Sequence, residues 1–102
     1  AKLAQQKFGM KIAALPSEIV QALRLEEGGL VITEVERNSP AGRAGLERGM
    51  IVVTLAGDYP RDLDHVGLLL ENVRAGDQVA FRIWQIQGRD ILMYPPVTLR
   101  AR

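Results

Sequence analysis

SPAGRAGLERGMIVVTLAG, residues 39 to 57, places a helix start, a helix stop and a turn ahead of one strand. Ser39 is a residue type whose hydroxyl accepts a hydrogen bond from the first turn of a helix. Pro40 follows at the first helical position, where its missing N–H costs nothing. Gly45 can adopt the left-handed conformation that closes a helix. The spacing predicts one short helix, barely over a turn. Gly49 then turns the chain into a strand over Met50 to Leu55, whose β-branched residues favour extended backbone, and Ala56-Gly57-Asp58 ends it.

Upstream, Leu30 to Val35 (LVITEV) reads as another strand. Before it, Phe8 to Leu15 (FGMKIAAL) is a short apolar stretch carrying one glycine, and Pro16 ends it. Ser17 is expected to cap a helix whose apolar positions Ile19, Ala22 and Leu23 follow the i, i+3, i+4 rule. Glu18 suits the positive end of its dipole, and Gly28-Gly29 is expected to stop it. Residues 1–7 (AKLAQQK) are polar and read as the end of a linker.

Downstream, Leu63, Val66, Leu69, Leu70 and Val73 fall on one face of a helix over Asp62 to Val73, with Asp62 and Asp64 at its start. Gly76-Asp77 is a turn, Val79, Phe81 and Ile83 alternate as a strand, and Gly88 turns it back into Asp90 to Tyr94. Pro95-Pro96 ends regular structure, leaving 95–102 as a tail. Strands joined by short turns with two substantial helices point to an α+β domain over residues 8–94, a partly open β-barrel capped by helices.

The bulk numbers fit one such domain. The chain has 102 residues, 47% of them apolar and 25% charged, and a chain of that size buries roughly two-thirds of its unfolded surface. Ten glycines and five prolines imply many turns. Net charge is +1, and the densest basic cluster, Arg89, Arg100 and Arg102, has no aromatic stacking platform beside it, so no nucleic-acid partner is expected. The absence of cysteine excludes a disulfide framework and thiolate metal sites while leaving the compartment open. No apolar run approaches the ~18 residues of a membrane span, so no direct membrane insertion is expected. No leader pattern opens the stretch at Ala1, and a targeting signal is expected outside it.

Catalysis finds little to work with. A serine triad needs a nucleophile, a histidine base and an orienting carboxylate. The two serines, Ser17 and Ser39, are better explained as helix caps, and neither lies in a G-x-S-x-G elbow. His65, the single histidine, sits within the predicted helix between aspartates and reads first as a surface residue, with a ligand contact as the alternative. One histidine and no cysteine make a zinc site improbable. Asp58, Asp62 and Asp64 lack the D-x-D-x-D-G calcium loop with its glutamate. GRAGLERG is no phosphate loop. The chain is therefore read as having no catalytic residues, no metal and no cofactor.

Residues 39 to 57 resemble the signature of bacterial PDZ domains, a Ser-Pro-Ala-x-x-Ala-Gly-Leu helix leading through a glycine turn into a strand. GLVITEVERN (29 to 38) resembles the strand before it, and the helix 62–73, Gly76-Asp77 and VAFRIWQIQGR (79 to 89) resemble the elements after it. The likeness covers residues 8–94 and is greatest to PDZ domains of the HtrA/Deg serine proteases. Met50 departs from it, standing where the family usually has aspartate. The resemblance implies a five- to six-stranded partly open barrel capped by two helices, in the bacterial permuted order with the ligand-binding strand near the start of the chain.

An extended peptide can add a strand to an exposed sheet edge, main-chain bonds giving affinity and alternate pockets giving specificity. A terminal carboxylate needs converging N–H donors, and glycine makes the tight loop accessible. Phe8-Gly9-Met10 has that layout and, by the resemblance, is the carboxylate-binding loop; the plainer reading makes Phe8 and Met10 core residues flanking a bend. Met10, Lys11, Ile12, Ala13 and Ala14 then form the receiving strand, with Ile12, Phe8 and Met10 facing the groove and the two alanines leaving the edge accessible. Val66 and Leu70, with His65 nearby, are expected on the opposite wall, and Leu63, Leu69 and Val73 in the core; the alternative puts all five apolar residues in the core. Changes at Gly9 or Ile12 are expected to weaken binding and leave the fold intact.

The function implied is noncovalent recognition of C-terminal or extended hydrophobic peptide segments, as a substrate-capturing or regulatory domain of a larger serine protease in the periplasm or cell envelope. Its partners would be peptide or protein C-termini and the rest of that protease. Two other parents stay open: a secretion-system component using the domain as an interaction module, and a membrane metalloprotease with an H-E-x-x-H helix elsewhere.

Overall fold

A computed structural model describes residues 2–25 and 29–102, and its helix starts follow capping chemistry. The Ser39 hydroxyl accepts from the Gly42 N–H at 3.0 Å and opens a helix over Pro40–Arg43. Asp62 accepts from the His65 N–H at 2.8 Å and opens one over Leu63–Leu70. The helix Ser17–Ala22 starts differently. Pro16 holds the cap position without a side-chain bond, and Ser17 is the first helical residue. Pro16 supplies only its carbonyl, accepting from Ile19 and Val20 at 3.0 and 3.1 Å. The helix closes at Leu23, and Arg24 takes the left-handed turn with φ 55°. The expected stop at Gly28-Gly29 falls partly outside the described residues.

In chain order the elements are α1 (Lys2–Phe8), β1 (Met10–Ala14), α2 (Ser17–Ala22), β2 (Leu30–Val35), α3 (Pro40–Arg43), β3 (Ile51–Leu55), α4 (Leu63–Leu70), β4 (Gln78–Gln87), β5 (Asp90–Met93) and β6 (Val97–Arg100). All strand pairs are antiparallel, in the order β1-β2-β3-β4-β5. β4 is long enough to pair with β6 along its first half and with β5 along its second. The sheet is open, with β1 and β5 at its two ends.

Both ends of the chain differ from expectation. The segment read as a linker end, 1–7, holds α1, with Ala4 and Phe8 buried. The segment read as a tail, 95–102, holds β6, with Leu99 and Ala101 buried, and Pro95-Pro96 only joins two strands. A seven-residue helix is marginal alone, and the apolar signal here is a single i, i+4 pair. In β6, Val97, Leu99 and Ala101 do alternate with Thr98, Arg100 and Arg102, but Pro95-Pro96 just ahead of them reads as the end of regular structure. α1 packs on β1 and α4, β6 pairs with β4, and the Arg102 N–H joins the two ends of the chain by donating to the Lys7 carbonyl at 2.9 Å.

The sheet separates two apolar groups. On one face Phe8, Met10, Ile32, Leu70, Phe81 and Leu99 belong to the main core, with the Phe8 ring edge-on to Phe81 at 5.2 Å. On the other, Ile19 and Val20 of α2 pack with Leu15, Leu25, Ile51, Val53 and Trp84. Covered on both faces, β3 is buried along its whole length. Each fully buried large apolar side chain contributes about 1.5–3 kcal/mol.

Candidate functional site

Among the described residues β1 pairs with β2 on one side only. The Glu36 N–H donates to the Gly9 carbonyl at 2.8 Å, flanking the Met10–Val35 pair. Met10 is therefore in a non-hydrogen-bonded pair, and its own N–H and carbonyl point toward the free edge. That edge offers a second strand main-chain partners. Met10 and Ile12 turn their side chains into the core, Lys11 and Ala14 are exposed, and Ala13 is half-buried. Lys11 meets Glu34 at 3.0 Å in an exposed ion pair, a type worth little. A register shift between Lys11 and Ile12 adds one residue on β2 and increases the local twist.

The loop ahead of β1 is set by close approach. Gly9 has φ +77°, and a Cβ there would lie 2.1 Å from Ser39 Cβ and 2.5 Å from its Oγ. Ser39 is fully buried; its hydroxyl donates to the Glu36 carbonyl at 2.7 Å while accepting from Gly42. Gly42 is equally constrained, since a Cβ would come within 2.4 Å of the Glu36 carbonyl oxygen. The stretch that identifies the fold is thus the buttress of the loop. Sequence reasoning took Ser39 for a helix cap alone; thirty residues separate it from Gly9, and nothing in the order of residues links them.

From the far end, Arg102 donates through Nε to the Gln6 carbonyl at 3.0 Å and through Nη2 to the Gln5 carbonyl and Glu36 Oε2, both at 2.8 Å. Lys7 Nζ donates to the Val73 carbonyl, tying the end of α1 to the segment after α4. α4 packs against α1.

The groove-helix expectation needs correcting. Val66 and Leu70 are fully buried in the main core, while Leu63, Leu69 and Val73 are only partly buried at its margin. Helical spacing identifies the apolar face but not which row points at the sheet; here the centre of the face goes inward and its flanks stay accessible. His65 folds back on its own helix start, its Nδ1 accepting from the Arg61 N–H at 3.1 Å. Phe8, Met10 and Ile12, at 0%, 1% and 8% exposure, are core residues beneath the edge, so the plainer reading of Phe8 and Met10 holds in the free chain. Ser39 Oγ is committed to two backbone groups and is no nucleophile. A cleft lined by Leu46, Met50, Ile83, Gln85 and Tyr94, among others, includes no residue of β1. At the opposite end of the sheet, Ile86, Ile91, Leu92 and Met93 are exposed apolar residues.

No family model matches the chain. It is 24% identical over 79 residues to a "Probable periplasmic serine endoprotease DegP-like" of Brucella suis, in a match that takes in 76% of this chain and 15% of that protein. The chain thus corresponds to a small part of the curated relatives it matches. Among solved structures it is similar to a variant of the HtrA-type protease AlgW with a decapeptide: TM-score 0.70 and 21% identity over 94% of this chain and 28% of that one. It is similar also to the HtrA3 PDZ domain bound to a phage-derived ligand, FGRWV, with TM-score 0.64 and 20% identity over 94% of this chain and 86% of that domain.

Proposed function

We propose that this chain, whose fold is that of the PDZ domains in HtrA-type proteases, captures extended or C-terminal hydrophobic peptide segments for a larger DegP-like serine protease of the cell envelope. The match falls on a PDZ domain and leaves the catalytic part of such proteases outside it. The observation that carries the reading is the free edge of β1, where the outward N–H and carbonyl of Met10 follow directly on the Gly9 loop. Strand addition there needs no preformed cavity. The ligand's last residue lies over the loop Phe8-Gly9-Met10, its chain beside Met10–Ala14, and its apolar side chains against Ile12 and the flanks of α4, with Leu63, Leu69 and Val73 in the place first given to Val66 and Leu70. The similar AlgW structure carries a decapeptide and the HtrA3 PDZ domain the ligand FGRWV, which supports this class of ligand.

An NMR titration with a short peptide ending in valine tests the reading. The expected result is amide shifts concentrated in residues 8–14 and 62–73. Shifts confined to the hairpin around Gln87 and Gly88 would overturn it in favour of an interaction module that uses the other end of the sheet.

A further inference from the structure

The end of the sheet far from β1 carries an unprotected edge. Among the described residues β5 pairs with β4 alone. Edge strands are ordinarily kept from pairing with other chains by a lysine, a proline within the strand or a bulge. β1 has two such devices, the exposed Lys11 and the register shift that follows it. β5 has none of them. Asp90–Met93 pairs with β4 in unbroken register, and Ile91, Leu92 and Met93 are all exposed, with Ile86 and Tyr94 beside them.

The Tyr94 N–H donates to the Ile83 carbonyl at 3.1 Å, which continues the Trp84–Met93 register by one residue. Tyr94, Leu92 and Asp90 therefore bond to β4, while the N–H and carbonyl of Ile91 and Met93 point to the free edge. The segment is bounded by the turn at Gly88-Arg89 and by Pro95-Pro96, which have no N–H to donate. Its residues 90–94 are centred on Leu92. A second copy placed antiparallel, with a two-fold axis at Leu92, sets Ile91 against Met93 of that copy and Met93 against its Ile91. Every outward N–H and carbonyl of the two residues then has a partner in both copies. An axis at Ile91 would put Met93 against Arg89 in the turn. An axis at Met93 would put Ile91 against Pro95, which offers no donor. The edge is complementary to itself in one register, as a two-fold interface requires.

The side chains agree with that register. Ile91 stands opposite Ile86 and Met93 opposite Trp84. The joined sheet thus carries rows of apolar residues, Ile86 and Ile91 followed by Met93 and Trp84 of the second copy. On the other face Leu92 meets its own counterpart in a pair where strands come closest. Asp90 falls opposite Tyr94, so no like charges meet across the strands.

We propose that the chain forms a two-fold dimer through antiparallel pairing of its β5 edges. The proposal is independent of the groove reading, since β1 lies at the opposite end of the sheet and stays free in both copies. A ladder this short covers less than the roughly 800 Å² per partner of a standard interface, so a dissociation constant on the order of 0.1 mM is expected.

The test uses the chain alone, without peptide. In sedimentation equilibrium from about 0.02 to 2 mM, the mass is expected to rise toward twice that of one chain. Amide shifts over residues 89–94 should grow with it. Met93→Lys puts an ammonium into both apolar rows and should weaken association by about ten-fold. Leu92→Cys, in a chain with no other cysteine, should form a symmetric disulfide under mild oxidation, because its pair brings the two Cα atoms to about 4.5 Å. Ile91→Cys faces Met93 and should cross-link no faster than Leu68→Cys, which is exposed on α4 and reports random collision. A chain that stays monomeric throughout overturns the proposal and leaves the edge to a different partner. Concentration-dependent shifts at residues 8–14 in place of 89–94 overturn it too, as does Ile91→Cys cross-linking as fast as Leu92→Cys.

Discussion

Gly9 joins two constraints that are usually separate. Its φ of +77° is strained for a side chain, and the space a side chain would enter is filled by Ser39. A left-handed position costs a non-glycine residue about 1–2 kcal/mol, and the overlap with a buried, doubly bonded serine adds to it. Gly9→Ala is therefore expected to lose about 2–4 kcal/mol of stability in urea unfolding as well as peptide binding. This revises the sequence-based expectation that changes at Gly9 act on binding alone. Adding Ser39→Gly to Gly9→Ala removes the overlap and leaves the backbone strain. The pair should then show clear non-additivity, and additive losses would place the two residues out of contact.

At the scale of an element, α4 separates packing from recognition along its own length. Leu70 is fully buried and Leu69, one position before it, is only partly buried. Leu70→Ala should cost about 2–5 kcal/mol, as deletion from a packed core does. Leu69→Ala should cost well under half of that and, in the proposed groove, weaken peptide binding by several-fold. Equal stability losses would mean that the helix is rotated from the arrangement described. Helix capping gives a second check: Asp62→Ala removes the acceptor of the His65 N–H and should cost about 0.5–2 kcal/mol. At the other end of the sheet, Met93 is 62% exposed, and Met93→Lys should change stability by no more than about 0.5 kcal/mol.

For the whole molecule, the two chain ends are one structural unit. β6 covers the first half of β4 through the Val79–Leu99 and Phe81–Val97 pairs, and Arg102 continues from it onto α1. Deleting residues 97–102 would strip β4 of a partner, take Leu99 and Ala101 from the core, and uncap α1. Leu99 alone accounts for about 1.5–3 kcal/mol, so the truncated chain is expected to unfold at markedly lower denaturant. A truncation that unfolds like the intact chain would return these residues to the status of a tail.

The sequence by itself determined what depends on neighbours in the chain. The Ser39-Pro40 start of α3, the Asp62 start of α4, the strands Leu30–Val35 and Val79–Ile83 and the hairpin at Gly88 all follow from local capping, dihedral and alternation rules, which act over a few residues. The edge strand and its glycine loop were legible for the same reason, helped by the resemblance of residues 39–57 to a known family. Tertiary structure decided α1, because a helix this short carries almost no signal of its own; β6 does alternate, but it follows Pro95-Pro96, which reads as the end of regular structure, and it is fixed by pairing with β4, 16 to 22 residues away. Tertiary structure also decided which row of α4 turns inward, since a 3.6-residue period defines a face without giving it a direction. The joint burial of Gly9 against Ser39, and the bracing of that loop by Arg102, exist only where three distant parts of the chain meet in space.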